Sequence, residues 1–132
     1  MCEILLVDDD RQTCELEAEA LNILGFDVQV AHTLESAVRT ARMQVFGAIV
    51  TEVDLRHARR RHPRLGQGFE LVRRLRRLGI TTRAIVFTTF EGNIYRDAAR
   101  QAGADEYLRK DIGIESLAVL LRTDDARAYA AE

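Results

Sequence analysis

Five short apolar runs, each followed by a stretch with helical periodicity, constrain this chain more than any other feature. Glu3–Val7, Phe26–Val30, Ala48–Glu52, Ala84–Phe87 and Glu106–Leu108 read as strands, because they are short, apolar and bounded by turn residues. Between and after them, Gln12–Leu24, Leu34–Gln44, Gln67–Leu78, Ile94–Ala102 and Ile114–Arg122 space apolar residues three and four apart. Leu16, Ala20, Leu21 and Leu24 make the inward stripe of the first helix. Leu34, Ala37, Val38 and Ala41 make that of the second, and Leu71, Val72, Leu75 and Leu78 that of the third. Gly25, Gly79 and Gly103 follow three of the helices as stops, and Thr33 and Asn93 stand where N-caps are expected.

Short strands without polar alternation are buried on both faces, which implies a parallel sheet covered by helices. Right-handed crossovers leave few topologies. The expected fold is α/β and flavodoxin-like: a (βα)5 three-layer sandwich with a parallel five-stranded sheet of order 2-1-3-4-5. A chain of 132 residues, 47% of them hydrophobic, supports one such domain. We place it at residues 1–122, with 123–132 a tail or the start of a linker. A net charge of −2 gives no hint of a nucleic-acid binder. No apolar run approaches the roughly 18 residues of a membrane span, and no signal peptide is expected, since an acidic triplet arrives at residue 8. Two cysteines, Cys2 and Cys14, suggest neither a disulfide framework nor a metal motif. A cytoplasmic protein is expected.

Ligands of open α/β sheets bind outside the carboxyl ends of the strands, where the strand order reverses. In this chain those ends carry chemistry. Asp8, Asp9 and Asp10 directly follow the first strand, Glu52 ends the third and Thr88 follows the fourth. Lys110, the one lysine beside 18 arginines, follows the fifth. Crowded carboxylates favour a hard cation such as Mg²⁺. The competing reading is an N-cap cluster for the first helix, although a cap needs only one carboxylate. Thr88 is also an ordinary strand residue, and Tyr107 an ordinary half-buried aromatic.

In their order and placement these residues resemble the receiver domain of bacterial two-component response regulators, over nearly the whole chain. The resemblance matches Asp8 and Asp9 to the family's acidic pair, Thr88 to its hydroxyl residue, Lys110 to its lysine and Tyr107 to its aromatic switch position. It implies a signal-transduction module with Mg²⁺ held by Asp8, Asp9 and the residue ending the third strand. It also implies a phosphate pocket of Thr88 and Lys110, and a switch of Thr88 and Tyr107. Partners would be a kinase or a downstream effector. The recognition face would be Ile94–Arg122, with the chain a monomer or a weak homodimer through that face. One departure matters most. Glu52 stands where the family has its phosphoacceptor aspartate, and an extra methylene disturbs the in-line positioning that phosphoryl transfer requires. The chain is therefore expected to be an atypical receiver, phosphorylation-independent, not an enzyme, and at most a weak binder of Mg²⁺. Asp54 is the alternative acceptor, since residues 52 and 54 share an orientation if the strand continues. A phosphatase with nucleophilic Asp8 and general acid Asp10 is the enzymatic rival. Its usual Thr or Val is replaced by Gln12.

The connection from Leu55 to Phe69 exceeds the usual length of about 2–6 residues. Between Leu55 and Phe90 stand ten arginines and one acid, a net +9 that leaves −11 on the remainder. Arg73, Arg74, Arg76 and Arg77 read as the solvated face of a helix. Arg56, Arg59, Arg60, Arg61 and Arg64 fall in a loop insertion at about 56–66, a candidate for binding an acidic partner. An insertion without a role and a nucleic-acid contact are the other readings, the latter weakened by the absence of aromatics for stacking.

Overall fold

In a computed structural model of the chain, described for residues 3–55 and 66–123, five strands alternate with five helices. They run β1 (Glu3–Val7), α1 (Arg11–Ile23), β2 (Asp27–Ala31), α2 (Leu34–Met43), β3 (Ala48–Thr51) and α3 (Gln67–Arg77). Then come β4 (Arg83–Thr88), α4 (Asn93–Ala102), β5 (Glu106–Arg109), a single 3-10 turn (Lys110–Ile112) and α5 (Ile114–Arg122). All pairings are parallel and the order is β2-β1-β3-β4-β5, as expected. Among the described residues, no helix is long and apolar enough to cross a membrane.

Alternation along the strands divides the core. Ile4 and Leu6 point toward α1 and α5, meeting Cys14, Leu21, Leu117 and Leu121. Leu5 and Val7 point the other way and meet Leu34, Ala37, Leu71 and Leu75 of α2 and α3. Val72, Ala84 and Val86 join Ala99 and Ala102 of α4 on that same side. The result is the expected three-layer sandwich.

Four local expectations fail. Leu16 is 62% exposed: α1 turns Cys14, Ala18, Leu21 and Leu24 inward, so Leu21 and Leu24 stand as expected while Cys14 and Ala18 take the place of Leu16. Asn93 is the first residue of α4 instead of its cap; Gly92 takes the cap position without a side-chain bond. Arg76 is half-buried, not solvated. Its guanidinium donates to the carbonyls of Ile80, Thr82 and Gly103 and to Asp105 Oδ2, so it ties the end of α3 to the approaches of β4 and β5. Leu78, expected inward, is the C-cap residue of α3 and is exposed. Thr33, by contrast, caps α2 as expected, in a reciprocal capping box with Ser36.

The register carries the strand ends to one edge. Val7 lies opposite Thr51, Thr51 opposite Val86, and Thr88 opposite Arg109. Asp8, Glu52, Thr88 and Lys110 therefore emerge side by side from four strands. Gly68, in the first turn of α3, closes this edge from the side. Its N–H donates to the Val53 carbonyl at 2.8 Å, and a Cβ there would sit 1.9 Å from the Glu52 carbonyl oxygen. Only glycine permits that approach.

Candidate functional site

Lys110 is the centre of the edge. Its Nζ lies 2.9 Å from Glu17 Oε2, 3.1 Å from Asp8 Oδ2 and 3.4 Å from Glu52 Oε1. The 3-10 turn after β5 aims this side chain back across the strand ends. Burial alone would lower its pKa, but the carboxylates of Glu17, Asp8 and Glu52 outweigh that and hold it above the usual lysine range. The ammonium is therefore permanently charged and already answered by three anions.

Glu52 is held from three directions. Its Oε2 accepts from the Thr88 hydroxyl and, at 2.7 Å, from the Val53 N–H, while Oε1 faces Lys110. Burial raises its pKa, opposed by the Thr88 bond and by Lys110. Thr88 Oγ1 in turn accepts from the Phe90 N–H at 3.2 Å, and the Phe90 carbonyl accepts from the Tyr107 hydroxyl at 2.7 Å. Glu52, Thr88 and Tyr107 are thus joined through one short loop. The Arg96 guanidinium stands 4.9 Å from the centre of the Tyr107 ring, a cation–π contact that holds the ring half-buried.

The acidic triplet divides its duties. Asp8 is buried; it pairs with Lys110 and accepts from the Asp10 N–H at 3.0 Å, while the ring Nδ1 of His32 lies 2.9 Å from its carbonyl. Asp10 caps α1 by accepting from the Thr13 N–H, which lowers its pKa. That bears out the capping reading for one of the three. Asp9 is pushed up to about 6, by burial first and then by the negative charges of Asp8 and Asp54.

The structure therefore brings together Asp8, Glu52, Thr88, Lys110 and, through Phe90, Tyr107. It does not assemble the expected metal set of Asp8, Asp9 and Glu52. Among the described residues, no three His, Cys, Asp or Glu side chains converge as metal ligands. The physical reason is that Glu52 is turned onto Lys110 and Thr88, and Asp8 is engaged by the same lysine. Asp54 is close enough to raise the pKa of Asp9, and Glu52 stands 3.4 Å from the lysine. Arg56, Arg59, Arg60, Arg61 and Arg64 lie outside the described residues, as do residues 124–132 of the expected tail.

Glu17 was not among the expected site residues, yet it is the carboxylate closest to Lys110. Burial raises its pKa, and Lys110 opposes the rise. The signal available was a carboxylate three residues after Cys14 and four before Leu21, on a helix face that otherwise buries apolar side chains.

Comparison with known proteins gives a consistent result. The family model described as the response regulator receiver domain matches residues 4–122. A response regulator of Mycobacterium avium, MprA, is 35% identical over 135 residues, covering 96% of this chain and 56% of its own length. The chain thus spans about half the length of the curated relatives it matches. A solved chemotaxis protein of Vibrio cholerae, CheY4, superposes with a TM-score of 0.78 at 23% identity, covering 92% of this chain and 97% of its own. A response regulator of Burkholderia pseudomallei, solved with a phosphorylated aspartic acid, a calcium ion and citrate, gives a TM-score of 0.77 at 25% identity. It covers 99% of this chain and 72% of its own.

Proposed function

The chain belongs to the response regulator receiver domain family, and from that premise we propose that it works independently of phosphorylation, as a protein-recognition module and not as an enzyme. One observation carries this reading. The carboxylate of Glu52 already makes the two contacts that a charged group at the acceptor position would seek, to Thr88 and to Lys110. A carboxylate reaching both partners resembles part of the charge arrangement that a phosphoryl group would create. Thr88 passes that arrangement to Phe90 and Tyr107. The domain is thereby biased toward one state by its own side chain. The rival phosphatase reading loses support, since Asp10 is committed to the helix cap and Asp8 to Lys110.

The recognition face we assign is α4, β5 and α5. Ile94 is 70% exposed and Val119 62%, and Ile112 is also exposed. Exposed apolar residues suit a protein partner. That partner is a kinase or a downstream effector, or a second copy of the chain in a weak dimer. Mg²⁺ would supply charge neutralisation at Asp8 and Asp9, and we expect it to bind weakly, because Glu52 is not free to complete the set. Isothermal titration with Mg²⁺ checks this; tight binding would contradict it.

The experiment for the main proposal is intact-mass measurement after incubation with Mg²⁺ and a small-molecule phosphodonor. The wild-type chain is expected to stay unmodified. Glu52→Asp shortens the side chain and is expected to gain one phosphoryl group at position 52. A phosphoryl group on wild-type Glu52 or Asp54 would overturn the proposal.

A further inference from the structure

Most arginines of the described residues are spoken for. Arg76 and Arg83 are buried or half-buried among acids and carbonyls, Arg73 and Arg77 share Glu70, and Arg100 pairs with Asp97. Arg109 pairs with Glu91 and Asp111, while Arg96 and Arg122 lie over aromatic rings. Of those left without such a partner among the described residues, Arg39, Arg42 and Arg74 gather in one place. They line a cleft of about 560 Å³ between α2 and α3, together with Val38, Met43 and a single acid, Glu35. Cations in the last turn of a helix are favoured by the helix dipole, which accounts for Arg42 and Arg74. It accounts neither for Arg39 nor for the apolar part of the lining. Met43 is 79% exposed, and Val45, two residues on, is 88% exposed.

We propose that the α2–α3 cleft is a docking site for an acidic segment of a partner protein, one that carries an apolar anchor residue. Three guanidiniums against one carboxylate, beside the apolar Val38 and Met43, are complementary to carboxylates flanking a hydrophobic side chain. Guanidinium forks bind carboxylates bidentately. Methionine and arginine are both enriched in protein interfaces, and the flexible thioether adapts to an anchor. No aromatic lines the cleft, so it offers nothing for a base to stack on. The cleft is also separate from the Lys110 edge. Gln44, next to Met43, donates to Glu3 at the start of β1, whereas Lys110 lies beyond the ends of the strands. The inference does not depend on what happens at Glu52.

The test uses a fluorescent acidic peptide with leucines spaced three and four apart, and a matched peptide with serine in place of leucine. Binding to the full chain is followed by fluorescence anisotropy. Arg39→Ser, Arg42→Ser and Arg74→Ser are each expected to weaken binding roughly two- to fivefold, and together by more than about tenfold. Raising salt from about 0.05 to about 0.5 M should weaken binding to wild type far more than to the triple variant. Met43→Ser should weaken binding without changing its salt dependence. Amide shifts on titration should fall on α2 and α3. These positions are on the surface, so melting temperatures close to wild type are expected; should the triple variant not fold, the single variants and Met43→Ser carry the test. Unchanged affinity in the arginine variants, or shifts mapped to another face, would overturn the proposal. So would equal binding of the serine peptide together with displacement by inorganic pyrophosphate, which would mark a small-anion site. Self-association that competes with the peptide would likewise replace the partner with a second copy of the chain.

Discussion

Replacing Gly68 by alanine separates two opposed effects. On helix propensity alone, alanine at this position of α3 should stabilise the chain by about 0.5–1 kcal/mol. Packing argues the other way. The new Cβ would lie 1.9 Å from the Glu52 carbonyl oxygen, 2.8 Å from that of Val53 and 3.0 Å from the Glu52 carbonyl carbon. Ordinary contact needs about 3.5–4.0 Å, so the start of α3 or the segment after β3 must move by more than an ångström. The atoms in the way are backbone, which cannot swing aside as a side chain would. Overpacking of this kind costs about 1–3 kcal/mol, and stretching the bond from the Gly68 N–H to Val53 costs about 1 kcal/mol more. The clash wins by about 1.5–3 kcal/mol, which for a domain of this size lowers the melting temperature by about 5–12 °C. Urea unfolding and a thermal scan of Gly68→Ala against wild type measure it. A variant as stable as wild type, or more so, would refute the close approach of α3 to the Glu52 backbone.

Two further outcomes follow from the charges at the edge. Lys110→Met strands Asp8, Glu17 and Glu52 without their cation and should cost about 2–4 kcal/mol in urea unfolding at neutral pH, discounted because the edge is partly wet. The loss should shrink as pH falls, since those carboxylates then take up protons in the folded state. Asp9, raised from 3.8 to about 6, binds its proton more tightly when folded. Its contribution to stability is therefore present at low pH and is lost as pH rises through about 6. Asp9→Asn should remove that slope and leave the protein more stable than wild type above pH 6, read from melting temperatures across the range.

The parts of the fold that were legible are those fixed by local pattern. Runs such as Ile4–Val7 and Ala84–Phe87 have no polar alternation, so they had to be buried strands, and the parallel order followed. Asp8 and Lys110 could be paired although 102 residues separate them, because strand ends converge in such a sheet. The features that were missed depend on partners distant in the chain. Glu17 looks like a solvent-facing acid until Lys110 is placed opposite it. Leu16 fits an apolar stripe as well as Cys14 does, and only packing decides the phase of α1. Arg76 is indistinguishable from Arg73 and Arg77 until the carbonyls of Ile80, Thr82 and Gly103 are seen around it. Glu52 likewise has more than one possible use, and its contacts with Thr88 and Lys110 could not be chosen over a metal from the sequence.

The central claim is that Lys110 is satisfied by the protein's own carboxylates. It can be tested without knowing any partner, because Lys110 is the only lysine in the chain. Selective ¹⁵N-lysine labelling gives a single side-chain ammonium resonance. The account predicts a protected, slowly exchanging signal that stays in place when Mg²⁺ and a phosphodonor are added, and that moves in Glu17→Gln and in Glu52→Gln. A signal that exchanges freely with water, or that shifts on addition of the phosphodonor to wild type, would contradict it.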